Sequence, residues 1–351
     1  MGLTPRERVM AAFDHVEGDR VPAWCGSSPE FWEKARQYLG LDDEGLRVWL
    51  GDDFRRVYAS YIGPEPPLSP RATSRTPFGV ERHGIGYGMA LSAPLAGANI
   101  DQVHAYAWPG PDWFDPANIM DDTAPYKGQY AILGGAWSPF WHDVCDLVGM
   151  DNLMIKMYED PDLVDAVFDH VVQFYLDVNA RIFAAAAGSI DILFIGNDFG
   201  SQNGPLLSEE LFRRFILPHL KKFVDLGHAY DKFVMLHCCG SFVDLLPAMI
   251  EIGLDGIHAV QPSCRGMDLA ALKANFGHRI LFNGAIDSHH VLIKGTPDLV
   301  RQKTREVLDI MKPGGGYIAG ASHDSILEET PVENVLAMFE AIRHYGKYDA
   351  S

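Results

Sequence analysis

The sequence predicts an α/β protein built as a closed (β/α)8 TIM barrel with N-terminal helical and loop excursions. Three observations predict it. First, short segments that are apolar throughout alternate with helical segments of roughly 10–20 residues, the pattern of a parallel sheet covered on both faces. Second, no glycine-rich turn joins a strand to a helix. The "GGGYIAG" stretch precedes a strand, which disfavours an open doubly wound dinucleotide fold. Third, the successive strands end in polar or reactive residues, as they do where all strand ends share one face of a barrel.

The elements follow in order. "TPRERVMAAFDH" predicts a helix with Thr4 as N-cap and Pro5 in its first turn. "VPAW" is a short apolar piece, and "SPEFWEKARQYLG" a helix closed by Gly40. Residues 63–128 are rich in Pro, Gly and aromatics. They read as excursions packed on the scaffold, either as a lid or as ordered connections without a role. Residues 131–346 carry the regular units. Their strands are "YAILGG", "DILFIGND", "KFVMLHCCG", "DGIHAVQP", "RILFNGAID" and "GYIAGASH", and each is followed by a helix. Ser208, Thr296 and Thr330 cap helices, and Pro218 kinks or restarts the one beginning at 209. Six units are clear, and the irregular stretch 1–130 supplies two further strands. The whole chain of 351 residues, 47% of them apolar, then forms a single barrel domain.

The bulk properties exclude several functions. A net charge of −18 repels phosphate backbones and anionic lipid, so neither nucleic acid nor a membrane is an expected partner. The N-terminus carries charges throughout, and no uncharged apolar run reaches the roughly 18 residues of a membrane span. The five cysteines, Cys25, Cys145, Cys238, Cys239 and Cys264, are odd in number and two are adjacent. They read as reduced thiols in a cytoplasmic enzyme. The partner expected is a small-molecule substrate, and a homodimer is a compatible assembly.

The strand ends carry the functional argument. They supply Asn197-Asp198 followed by Gln202 and Asn203; His237-Cys238-Cys239; Gln261; Asn283; and Ser322-His323-Asp324. Zinc favours thiolate and imidazole, and a catalytic site uses three protein ligands with one position open. His237 and Cys239 stand two apart at one strand end and project to the same side, with Cys238 turned away as a small buried hydrophobe. A third ligand must come from another strand, and His323 is the candidate. A hydrogen-bonded His237 beside two inert thiols satisfies the same pattern. Asp198 reads as a substrate-holding or basic group or as a loop cap. Trp137, Phe140 and Trp141 line a pocket or pack a core. His258 reads as a core histidine, Cys264 as an exposed thiol, and His289 and His290 as exposed.

The strings "GNDFGSQNGPLLSEELFRRFILPHLKKFVD", "VMLHCCGSFVDLLPAMIEIGLDGIHAVQP" and "GGGYIAGASHDSILEETPVENVLAMFEA" resemble the uroporphyrinogen decarboxylase superfamily. The resemblance implies a TIM barrel and one of two activities. One is cofactor-free decarboxylation of uroporphyrinogen. The other is zinc-dependent methyl transfer between a corrinoid (methylcobamide) protein and a thiol or pterin. The Arg-rich carboxylate-binding segment of the decarboxylases is absent from "VPAWCGSSPEFWEKA". The methyltransferase branch has a His-x-Cys pair where His237 and Cys239 fall. Its third zinc ligand is a cysteine near Ser322-His323, a place where this chain has none. The expectation is a methyltransferase with zinc on His237, Cys239 and His323, with Asp198 and His323 as catalytic groups. Gln202, Asn203, Gln261, Asn283 and Trp137 would bind substrate. The alternatives are a decarboxylase acting on a smaller carboxylated substrate and a non-catalytic binding homologue.

Overall fold

The structure, a computed structural model, describes residues 2–84 and 88–348. Seven parallel strands form one sheet in chain order: β1 (Phe54–Arg56), β2 (Ala131–Gly134), β3 (Ile192–Gly196), β4 (Phe233–His237), β5 (Gly256–Val260), β6 (Leu281–Ile286) and β7 (Tyr317–Ala321). Helices connect them, including the long Pro161–Ala186 and the C-terminal Val332–Tyr345.

The "VPAW" segment lies between the two sheet edges and hydrogen-bonds toward both. Trp24 N–H donates to the Ala319 carbonyl of β7 (3.0 Å), and Ala319 N–H donates to that of Pro22 (2.8 Å). On the other side Asp53 N–H, just before β1, donates to the Ala23 carbonyl (2.9 Å). The buried Asp53 carboxylate reinforces this seam. It accepts from Ala23 N–H (2.7 Å) and pairs with Arg8 (2.5 Å) and Arg20 (2.9 Å).

Strand alternation sorts the buried side chains into two layers. Trp24, Phe54, Leu133, Phe194, Met235, Leu281 and Ile318 pack with Val9, Ala12 and Phe13 of the helix Pro5–Phe13 into an inner cluster. The residues between them, among them Ile132, Leu193, Leu236, Ile257 and Phe282, face outward into the larger layer shared with the helices. Both faces are dry, so these strands read as unbroken apolar runs. Phe13 stacks on Phe233 (4.5 Å between centroids), so the N-terminal helix covers the end at which the strands begin.

Caps fall where expected. Thr4 makes a capping box with Glu7, and Gly40 ends its helix with left-handed backbone (φ 67°). Pro218 has a sharper effect than a kink: residues Phe212–Ile216 widen into a π-turn before the α-helix Leu217–Ala229. A proline lacks the N–H for the i−4 carbonyl, and the wider turn relieves the ring clash. The excursion carries two small antiparallel sheets, Ser60–Tyr61 with Phe114–Asp115 and a three-stranded one over Ser74–Ala90. Arg82 ties the latter to the helix Phe140–Val148 through Asp143 (3.0 Å) and Asp146 (2.6 Å). Among the described residues no helix is long and apolar enough to cross a membrane.

Candidate metal centre

The inner face of the sheet changes character one layer above the apolar cluster. Two residues beyond Phe54 comes Arg56, two beyond Met235 comes His237, and two beyond Leu281 comes Asn283. His237, the last residue of β4, is in register with His258 on β5 and Gly196 on β3. Side chains in register on one face are neighbours. The two imidazoles accordingly meet with their Nδ1 atoms 2.9 Å apart. His258 is fully enclosed, with the Trp24 ring 4.3 Å from its own. Burial, with the nearby His237, holds it neutral well below the usual imidazole range. The Trp137 indole lies across Gly196, where a Cβ would come within 2.0 Å of it, and its ring sits 5.4 Å from that of His237.

At the mouth, Cys239 Sγ lies 3.3 Å from His237 Nε2. Asp198, just beyond β3, places Oδ1 3.4 Å from the same Nε2. The same oxygen accepts from the Cys239 N–H at 2.7 Å. Its Oδ2 lies 3.5 Å from His142 Nε2, and the Asp198 N–H donates to that nitrogen (3.2 Å). Burial opposes the ionised Asp198, but the His142 and His237 imidazoles beside it outweigh that and hold the carboxyl below the ordinary range. Burial raises the Cys239 thiol, and the Asp198 charge raises it further. A second group forms beside the first: the ligand atoms of His237, His258 and Asp324 lie within 4.8 Å of one another. Asp324 Oδ1 is buried with no protein partner, and the Asp324 carbonyl presses on Gly26, where a Cβ would come within 2.0 Å.

The expected residues distribute as follows. His237 and Cys239 converge. His323 does not join them: the group within 4.8 Å is His237, Cys239 and Asp198. The His323 ring is exposed and folds onto its own turn, with Nδ1 accepting from the Ser325 N–H (3.2 Å). His323 instead lines a cavity of about 210 Å³ with Gln202, Gln261 and Ser322. Gln261 also accepts from the Gly240 N–H (2.8 Å), which fixes the loop after Cys239. Asn203 is exposed outside that cavity and belongs to a turn, its N–H donating to Ser201 Oγ (3.2 Å). Asn283 is buried with Nδ2 lacking a protein partner. Cys238 is turned away and buried, its sulfur 3.4 Å from the Phe199 N–H. Cys264 is buried, not exposed, because the 264 turn folds under the mouth against Gln261. His142, Arg56 and the His258 contact were not singled out by the sequence, and Asp324 was named only as a strand-end residue beside His323. His142 lies within the aromatic "WSPFWHDV" segment, the one signal that could have found it.

A metal fits this donor set. Ligand bonds of about 2.0–2.3 Å in tetrahedral array separate the donors by roughly 3.3–3.8 Å. The distances from His237 Nε2, 3.3 Å to Cys239 Sγ and 3.4 Å to Asp198 Oδ1, match. A buried carboxylate that raises a neighbouring thiol is a charge arrangement that a divalent cation reverses.

A parallel α/β scaffold with a His, Cys and Asp gathered at its strand ends presents a candidate metal site. The chain belongs to the uroporphyrinogen decarboxylase (URO-D) family, whose profile matches residues 118–345. It is 25% identical over 224 residues to the methylcobamide:CoM methyltransferase MtbA of Methanosarcina acetivorans, across 63% of this chain and 60% of the relative. It is 27% identical to the methylated-thiol–coenzyme M methyltransferase of Methanosarcina mazei, across 62% and 54%. To the uroporphyrinogen decarboxylase of Aromatoleum aromaticum it is 25% identical, across 65% and 64%. The matched region thus spans under two thirds of these relatives' own lengths. Among solved structures, a methyltransferase from Methanosarcina mazei shares the fold, with a TM-score of 0.68 and 19% identity over 98% of this chain and 99% of the other.

Proposed function

We propose that this chain is a cytoplasmic (β/α)8-barrel methyltransferase, with the segment Val21–Trp24 as its eighth strand. It moves a methyl group between a corrinoid carried by a partner protein and a small thiol or pterin acceptor. The carrying observation is the convergence of His237 Nε2, Cys239 Sγ and Asp198 within 4.8 Å. These three would hold zinc, with Asp324 on the adjoining side. His323, expected as a ligand, is reassigned to the acceptor cavity with Gln202 and Gln261. When bound, zinc supplies positive charge that lowers the pKa of an acceptor thiol.

The protein's own groups do the rest. His258 accepts from His237 Nδ1–H and so leaves the Nε2 lone pair facing Cys239 and Asp198. Asp198 fixes the Cys239 backbone through its N–H. His142 Nε2, opposite Asp198 Oδ2, is placed to hold the proton an acceptor releases. Met89, Leu91, Trp141 and Leu206 line a cavity of about 560 Å³ that reaches His142 and Asp198.

The test is zinc content with methylcobalamin consumption in the presence of simple thiols. Wild-type protein should bind one zinc and demethylate the donor, and His237→Ala and Cys239→Ala should do neither. Unchanged zinc in both variants refutes the site. A second reading, a decarboxylase with His323 and Asp198 as acid–base groups, is supported by the cavity His323 lines. Turnover that survives exhaustive chelation would select it.

A further inference from the structure

We infer that Arg56 is the anion anchor of this site, holding a carboxylate or sulfonate at the end of the substrate remote from the reacting atom. This deepens the methyl-transfer reading and rests on it for the position of the reacting end. Arg56 is the last residue of β1, two beyond the inward-facing Phe54, and so belongs to the same interior layer as His237. Its guanidinium carbon lies 4.8 Å from the Tyr58 ring and 4.9 Å from each of the Trp137 and Phe194 rings. The Trp137 indole is the same one that packs against His237, so one aromatic wall joins cation and candidate metal ligand.

The neighbouring arginines show what is unusual. Arg8 and Arg20 pair with Asp53, Arg47 with Asp52, and Arg55, the adjacent residue, with Glu44. Among the described residues no carboxylate comes within the 4.0 Å of an ion pair with Arg56. A guanidinium in the mouth of a chain of net charge −18 would ordinarily recruit one of its own acids. Here aromatic faces hold the side chain by cation–π contact and leave its planar N–H fork for a bidentate oxyanion. The carboxylates of Asp198 and Asp324 gather with His237 and repel an anion from that end of the site. The substrate is thereby oriented, with its reacting end toward Cys239 and its anionic end toward Arg56.

The experiment uses the full chain and the variants Arg56→Gln and Arg56→Lys. Propionate and ethanesulfonate are titrated calorimetrically into metal-free protein, and 3-mercaptopropionate and neutral 3-mercaptopropanol into zinc-loaded protein. Wild-type protein should bind both anions, and the tighter of the two names the headgroup. Arg56→Gln should weaken anion binding about 10-fold or more, with Arg56→Lys intermediate. The preference for 3-mercaptopropionate should vanish in Arg56→Gln, while 3-mercaptopropanol binds as before. Equal anion binding by wild type and Arg56→Gln, or no anion binding by the wild type, overturns the assignment. If the zinc-loaded protein binds neither thiol while anion binding still depends on Arg56, the methyl-transfer reading fails and the anchor stands.

Discussion

His237 and His258 face one another across β4 and β5 with their Nδ1 atoms 2.9 Å apart. A nitrogen–nitrogen hydrogen bond has one donor, so the two rings take opposite roles. Only when His237 donates does its Nε2 keep the lone pair a metal needs. His258 therefore selects the tautomer of a ligand it does not replace. His258→Phe should lower zinc affinity roughly 10–100-fold, measured by competition with a chromophoric chelator. Wild-type affinity in that variant would remove His258 from this role.

The third ligand separates two arrangements. Asp198→Asn keeps an oxygen for the Cys239 N–H but removes the charge, and should cut zinc affinity at least about 10-fold. His323→Ala should leave zinc stoichiometry at one and raise the KM for the acceptor. Metal analysis of the two variants side by side decides the matter; zinc lost only from His323→Ala would restore the original ligand set.

The proposed exchange of His323 for Asp198 marks where the sequence stops being legible. The regular strands were readable because both their faces are dry, and His237 with Cys239 was readable because strand geometry puts i and i+2 on one side. β1 was not, since three residues with two arginines look like surface. The same adjacency hid Arg56 behind Arg55. The choice between His323 and Asp324 falls in a turn after β7, where no periodicity says which of two adjacent side chains points inward. His258 was seen as a core histidine, which it is. That its partner would be His237 depends on strand register, and register is a property of the sheet and not of either strand.

Gly196 makes room for Trp137. A Cβ there would lie 2.0 Å from the indole ring, with the rigid strand behind it. Gly196→Ala should push Trp137 off His237 and off Arg56, at about 1–3 kcal/mol of stability. Tryptophan emission should shift, and zinc-dependent activity should fall further than zinc content. An unchanged emission spectrum would mean that the strand yields in place of the indole.

Stability should fall in mild acid for a reason remote from the site. His219 is 7% exposed, its ring stacked on Phe168 (5.2 Å), and its Nδ1 has no protein partner. Burial, assisted by Lys222, pushes the imidazole down to about 4. A base depressed in the folded state is protonated first in the unfolded chain. Its contribution is therefore complete above about pH 6.5 and is lost as pH falls toward 4, on the order of 3 kcal/mol in all. Denaturant unfolding between pH 7 and 4.5 should show this slope together with that of His258, likewise depressed by burial, and His219→Leu should make it shallower by the share of His219.

The seam between the sheet edges hangs on one carboxylate. Asp53 accepts from the Ala23 N–H and from Arg8 and Arg20, and so fastens the N-terminal helix, the "VPAW" segment and β1 at a single point. Replacing it by alanine leaves the buried Arg8 with only Asp19 and the Leu3 carbonyl as partners. Breaking a buried pair from one side costs roughly 3–5 kcal/mol. Asp53→Ala should lower the free energy of unfolding by that amount, read from denaturant unfolding. Because the loss is local to the seam, amide exchange should quicken first at Ala23, Trp24 and Ala319, whose N–H groups make or flank its hydrogen bonds, before it quickens in β3 and β4. Uniform acceleration across all the strands would mean instead that the seam has no separate stability and that the sheet closes and opens as one unit.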